Sequence, residues 1–288
     1  MPKKPRALEP HVGFNVSTFP FTLNPTVGCF YGCKYCYLQV PPYSYNIVPN
    51  QVSIKDWLPN VLETELNSKK YKNLPQYFKR VQINESCDSY HPAIMNKHDI
   101  MKEILLIFKK HPDWMLHILT KSNKIIDHID LLTEMKHQVQ IEITITTLDE
   151  EKARMLEGTA PKVSKRLHTL TRLVNADIFT RVMCMPFTGN NDELKQMKSI
   201  ILDMGVKGFK HKSLNYFDEE KLNNGIVEQV KNRHDKTLCL FNSGEKLSKE
   251  TKILLPLTKA FSKFKDHITK FENWGYSYVN NLNWEYIL

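Results

Sequence analysis

Residues 24–39 read NPTVGCFYGCKYCYLQ, which places Cys29, Cys33 and Cys36 in a CxxxCxxC spacing. The other three cysteines, Cys87, Cys184 and Cys239, are scattered. The N-terminus, MPKKPRALEPHVG, has lysines but no apolar run behind them, so it does not read as a secretory leader and a cytoplasmic location is expected. In that setting a tight thiol group points to metal or redox chemistry rather than to disulfides.

Cysteine thiolates hold iron–sulfur clusters, and a four-iron cubane accepts up to four of them. This loop offers three, which leaves one iron open to a small molecule. Gly28 and Gly32 let the backbone turn tightly around a bulky group. Lys34 brings positive charge close to an anionic cluster, and Tyr31, Tyr35 and Tyr37 can exclude water from it. Structural zinc is the competing reading, but it wants four ligands, commonly two C-x2-C pairs. No second pair exists, and His11 or Cys87 would have to complete the site from outside motif spacing. The loop therefore reads as a [4Fe-4S] site, with zinc or inert thiols as alternatives.

Outward from the loop, strand-length apolar runs alternate with segments of helical period. Candidate strands are 21–27, 80–86, 114–120, 139–146, 180–186 and 206–212. Residues 97–110 place Ile100, Ile104, Ile107 and Phe108 on one helical face. Residues 123–135 do the same with Ile126, Ile129 and Leu132, and 162–174 and 191–204 also read as helices. Asp192 is a candidate cap for the last of these and Gly205 its terminator. Strand–helix alternation repeated six times predicts a parallel α/β architecture, but a barrel and an open doubly wound sheet give the same pattern.

The chain thus divides into an extended lead-in (1–20), a core (21–212) and a C-terminal extension (213–288). The extension is basic, carries a possible strand at 238–242, and ends in Phe271, Trp274, Tyr276, Tyr278, Trp284 and Tyr286. The whole chain, at 288 residues, suffices for a substantial core. A net charge of +9 is compatible with an acidic partner such as nucleic acid, and equally with an ordinary solvated surface. No apolar run reaches the roughly 18 residues of a transmembrane helix, so no membrane partner is expected.

The CxxxCxxC spacing with Tyr35 before the last cysteine resembles the signature of the radical S-adenosylmethionine enzymes. The fuller pattern adds the CDSYHP, ILTKS and ITITTLDEE segments downstream. It resembles the branch that contains spore photoproduct lyase and "DNA repair photolyase"-like proteins, over roughly residues 20–212. The resemblance implies a partial (β/α)6 barrel of TIM type with a C-terminal extension. It implies a [4Fe-4S] cluster on Cys29, Cys33 and Cys36, whose open iron takes the amino and carboxylate groups of S-adenosylmethionine. It also implies reductive cleavage of that cosubstrate and a flavodoxin- or ferredoxin-type electron donor.

By the same resemblance, Tyr35, Asp88, Lys121, Ser122, Thr144, Thr146 and Arg166 bind the cosubstrate. Asp88 would accept hydrogen bonds from its amine or ribose, and Lys121 and Arg166 would pair with carboxylate. Thr144 and Thr146 share one strand face, the lumen of a barrel. Each has a plainer reading: a loop-capping aspartate, a solvated lysine or arginine, β-favouring threonines. Cys87 lies beside, not on, the position of the branch's hydrogen-donating cysteine, so a radical relay and an inert buried thiol both stand. No catalytic residue is otherwise assigned. The resemblance leaves the substrate open between nucleic acid, a peptide, a tRNA base and a small metabolite. A non-catalytic iron–sulfur or zinc protein is the alternative of another class. Oligomeric state is not indicated.

Overall fold

The computed structural model describes residues 5–10, 19–39, 52–214 and 217–228. Its strands are β1 (Glu9–Pro10), β2 (Phe21–Leu23), β3 (Thr26–Val27), β4 (Ser53–Ile54), β5 (Arg80–Ile83), β6 (Met115–Thr120), β7 (Val139–Thr144), β8 (Phe179–Phe187) and β9 (Gly208–Ser213). Its α-helices are α1 (Leu58–Asn67), α2 (Lys69–Lys72), α3 (Pro92–Met95), α4 (Ile100–Lys109), α5 (Ile129–Glu134), α6 (Glu150–Glu157), α7 (Val163–Asn175), α8 (Asn191–Asp203) and α9 (Glu219–Asn223).

Strands β2, β5, β6, β7, β8 and β9 pair in parallel and in strict chain order. A doubly wound sheet reverses order at a switch point; this one never does. Crossovers between parallel strands share one hand, so successive helices fall on the same face. That is the (β/α)6 partial-barrel arrangement, with β1 added antiparallel to β2 at the edge. Thr26–Val27 and Ser53–Ile54 form a separate two-stranded ribbon.

Alternation along each strand sorts the two faces. Val139, Ile141, Ile143, Val182 and Phe209 join the core, packed with Ile104, Phe108, Leu170, Leu173 and Ile201 from the helices. The opposite positions, Gln82, His117, Gln140, Glu142, Thr144 and Arg181, are buried and polar, and strand register sets them side by side. They line the lumen. At its N-terminal end Phe19 and Met115, with Phe179, form an apolar floor, and Phe19 stacks on His117 at 4.6 Å.

The helix ends follow local chemistry. Asp99 caps α4, its carboxylate accepting from Lys102 N at 3.2 Å, and Asp149 caps α6 by accepting from Glu151 N and Lys152 N. The cap of α8 is Asn190 rather than Asp192: its Oδ1 accepts from Asp192 N and Glu193 N, which puts Asp192 inside the first turn. Gly205, at φ 87, ends that helix as expected. Residues 123–135 divide into a 3-10 turn, Asn123–His128, and the shorter α5, because Ser122 accepts from Lys124 N and starts the turn early. The possible strand at 238–242, Cys239, His11 and the terminal aromatics lie outside the described residues. Among those described, no helix is long and apolar enough to cross a membrane.

Candidate active site

The cysteine loop follows β2, at the C-terminal end of the parallel strands, where barrel folds place their sites. Asn24 opens it. Its Oδ1 accepts from Ser86 N at 2.9 Å and lies 3.6 Å from Cys87 Sγ, which ties the loop to the one after β5. Gly28 and Gly32 have φ of 85 and 65, a left-handed backbone that side chains resist. The loop closes in a short 3-10 turn, Tyr37–Gln39, with Cys36 N donating to Cys33 O at 3.1 Å.

The far side of the loop is docked on the end of α6. Lys34 N donates to Leu156 O at 2.8 Å, Thr159 N to Tyr31 O at 3.0 Å, and Thr159 Oγ1 to Phe30 O at 2.9 Å. Between these contacts Gly158 runs at φ 58, and a Cβ there would stand 2.3 Å from Tyr31 O. Beneath lies a fully buried hub. The Glu157 carboxylate accepts from Tyr35 OH, from an Arg166 guanidinium nitrogen, and from Thr146 Oγ1 at 2.9 Å. Arg166 also donates to Thr144 O at 2.9 Å. Burial works against this carboxylate, but Arg166 and Lys121 beside it hold it ionised, below the usual carboxylate range.

A second group lies after β5 and β6. Asp88 accepts from Thr120 Oγ1 at 2.7 Å, Lys121 N at 2.8 Å and Tyr90 N at 3.2 Å. Burial outweighs these bonds and lifts its carboxyl to about 6. The Lys121 ammonium sits 5.5 Å from the centroid of the Tyr35 ring and close to Cys33 and Glu157. Ser122 is buried with its hydroxyl engaged, donating to Tyr90 O at 2.7 Å and accepting from Lys124 N.

The structure thus gathers Tyr35, Asp88, Lys121, Thr144, Thr146 and Arg166 around the cysteine loop. The polar groups of Thr146 and Arg166 are directed to Glu157, and that of Ser122 to the backbone. Cys87 is buried beneath the Asp88 loop, 3.4 Å from Asn84 Oδ1. Cys184 is buried 3.6 Å from Thr146 O in the core. Glu157, Asn24 and Thr120 are not among the residues the sequence singles out. The Asn-Pro pair before the first cysteine was the available signal for Asn24.

The residues suit an iron–sulfur cluster. Cys29, Cys33 and Cys36 pack in one apolar group with Tyr31, Tyr35, Leu156, Leu214, Phe217 and Leu222, which shields them from water. Burial pushes the Cys33 thiol up to about 12, so the pocket alone leaves it protonated and an iron ligand is what would displace that proton. Among the described residues, no three His, Cys, Asp or Glu side chains converge as a single metal ion requires. Three shielded thiols leave a structural zinc one ligand short, whereas a four-iron cluster held by three keeps one iron open.

A parallel six-stranded partial barrel with this loop at its mouth is a radical S-adenosylmethionine core. The family model "Radical SAM superfamily" matches residues 23–199, and the chain belongs to that superfamily. Membership implies S-adenosylmethionine and a [4Fe-4S] cluster. A protein of Methanocaldococcus jannaschii is 26% identical over 155 residues, covering 53% of this chain and 54% of its own. One from Acidianus two-tailed virus is 24% identical over 200 residues, covering 65% and 64%. Both are described as uncharacterised. Among solved structures, a spore photoproduct lyase variant with bound AdoMet and dinucleoside spore photoproduct superposes with a TM-score of 0.54. It is 13% identical and covers 74% of this chain and 63% of the lyase. At that identity the likeness concerns the fold. The chain spans roughly half to two thirds of the length of these relatives.

Proposed function

We propose that Cys29, Cys33 and Cys36 hold a [4Fe-4S] cluster and that the chain cleaves S-adenosylmethionine reductively to start hydrogen abstraction from a nucleic-acid substrate. The observation that carries the reading is the three-thiol loop, shielded and clamped between the Glu157 hub and the Asp88–Lys121 loops. When bound, the cluster supplies the electron that breaks the sulfur–carbon bond of the cosubstrate. The chain's own residues bind, orient and exclude water. Asp88, with both oxygens on one strand end, offers its remaining acceptor capacity to an amine or ribose hydroxyl. Lys121 offers a donor to the cosubstrate carboxylate. Thr144 faces the same lumen, while Thr146, Arg166 and Ser122 fix the walls. Tyr35 covers the loop from below. The reductant would be a flavodoxin- or ferredoxin-type protein acting in the cytoplasm.

Support for a nucleic-acid substrate comes from the basic charge and from the fold neighbour that holds a dinucleoside spore photoproduct. A peptide, a tRNA base or a small metabolite is the second reading, because the core is common to enzymes acting on each. Anaerobic reconstitution tests the ligand assignment. About four irons per chain are expected, with Cys33→Ala losing most of them. Stoichiometric zinc without iron would overturn it. Single-stranded DNA should bind and weaken with salt; binding that ignores salt, or none, would remove the nucleic-acid reading.

A further inference from the structure

The lumen holds a charged layer that the cosubstrate groups leave unused. On β9, Phe209 enters the outer core opposite Val182 and packs near His211, with ring centroids 6.2 Å apart. Lys210 and Lys212 alternate with them and so face the lumen. Lys210 pairs in register with Met183, next to Arg181. At this level the charges are answered: Glu142 lies 3.3 Å from His117 Nε2 and 3.7 Å from Arg181 Nε, and it also attracts Lys210.

Lys212 is different. It stands one step nearer the mouth, on the end of the strand that shares its rim with the cysteine loop. It is half-buried, and no hydrogen bond or ion pair to it exists among the described residues. Its main charged neighbour is Lys210; burial first and that repulsion second pull it down to about 8. Two lysines at i and i+2 on one face stand about 7 Å apart, so Lys210, held by its own carboxylates, adds positive charge behind the unpaired Lys212. The carboxylates that attract this pair, Glu142 and Glu85, act on Lys210, and none acts on Lys212.

We propose that Lys212, backed by Lys210, receives a phosphodiester of the substrate at the barrel mouth, which places the reacting nucleotide over the cysteine loop. The proposal rests on the radical reading above and names its substrate class. Lysine binds phosphate as a mobile point charge, so it fixes backbone position without reading a base.

The test compares two ligands on the reconstituted full-length protein: thymidylyl-(3′→5′)-thymidine and its phosphate-free, acetal-linked counterpart. Wild type should bind the phosphate form at least about tenfold more tightly, with the preference shrinking as salt rises. Lys212→Gln should erase most of that preference, and Lys212→Arg should restore it. The thermal midpoint of Lys212→Gln should equal or exceed that of wild type, because a repulsive neighbour is removed. Equal affinity for both ligands, no binding of either, an undiminished preference in Lys212→Gln, or Lys212-dependent binding of an acidic peptide instead would overturn the proposal. The readout is direct binding and needs no cosubstrate cleavage. Failure of the radical reading would appear separately, as absent 5′-deoxyadenosine release from wild type.

Discussion

Gly158 concentrates the local constraint of the site in one residue. Its φ of 58 excludes a side chain on backbone grounds, and the 2.3 Å approach to Tyr31 O excludes one on contact. Neither the backbone of α6 nor the cysteine loop can retreat without losing the Thr159–Tyr31 and Lys34–Leu156 bonds. Gly158→Ala should cost about 1–3 kcal/mol and reduce iron retained after reconstitution. Denaturant titration beside an iron assay checks both, and unchanged values would mean that the loop docks elsewhere. Glu157 is the second critical residue. Glu157→Gln removes the charge but keeps the shape, leaving Arg166 buried with a weaker partner. A loss of about 3–5 kcal/mol is expected, the range for a broken buried pair. The double variant Glu157→Gln with Arg166→Met should recover part of it, since replacing both partners leaves no bare charge. A double variant worse than the sum of the singles would refute the pairing.

At the scale of elements, α4 shows what the sequence made legible. Ile100, Ile104 and Phe108 repeat at helical spacing, and all are fully buried against the sheet. Ile104→Ala should cost about 2–5 kcal/mol, read as a lower midpoint; an unchanged one would place this face in solvent. The start of α4 also carries a pH-dependent link. His98 sits 2.6 Å from Asp56 and 2.7 Å from Glu103, and these bonds raise its pKa above the ordinary 6.5. A raised folded pKa means that the contribution is fully present below about 6.5 and fades as pH rises through the folded value. It amounts to about 0.2–1 kcal/mol at this partly exposed site. His98→Gln should flatten the stability profile above pH 6.5; an identical profile would show that the ring does not bridge its two acids.

Periodicity exposed the six parallel strands because apolar residues recur along them at fixed intervals. It gave no hint of β1 or β4, and it ran β3 into the first candidate strand, 21–27, which the structure divides between two sheets; two-residue strands leave no period to read. It could not separate barrel from open sheet either, because strand order is a property of pairing. The cysteines were legible from spacing alone. The Glu157 hub was not, because its partners Tyr35, Thr146 and Arg166 come from three separate segments and meet only after folding.

Across the whole molecule, the lumen is layered from floor to mouth. Phe19, Met115 and Phe179 close the bottom, and His117, Gln140, Glu142 and Arg181 form a polar middle. The cysteine loop, Asp88, Lys121 and Lys212 share the open end. Residues 217–228 reinforce that end: Phe217 and Leu222 pack with Tyr31 and Cys33, and Lys34 Nζ lies 3.4 Å from Gly225 O. The division has a physical logic. Radical chemistry needs a dry, rigid wall on one side and access for the substrate on the other. The middle layer is charge-answered and structural, so charge open to a ligand collects at the mouth.

The measurement that bears most directly on this account is anaerobic incubation of the reconstituted protein with dithionite and S-adenosylmethionine, followed by chromatography of the nucleosides released. Wild type should release 5′-deoxyadenosine and Cys33→Ala none, and Lys121→Ala should show a lower apparent cosubstrate affinity with its iron retained. A wild-type protein carrying its full complement of iron that releases no 5′-deoxyadenosine would contradict it.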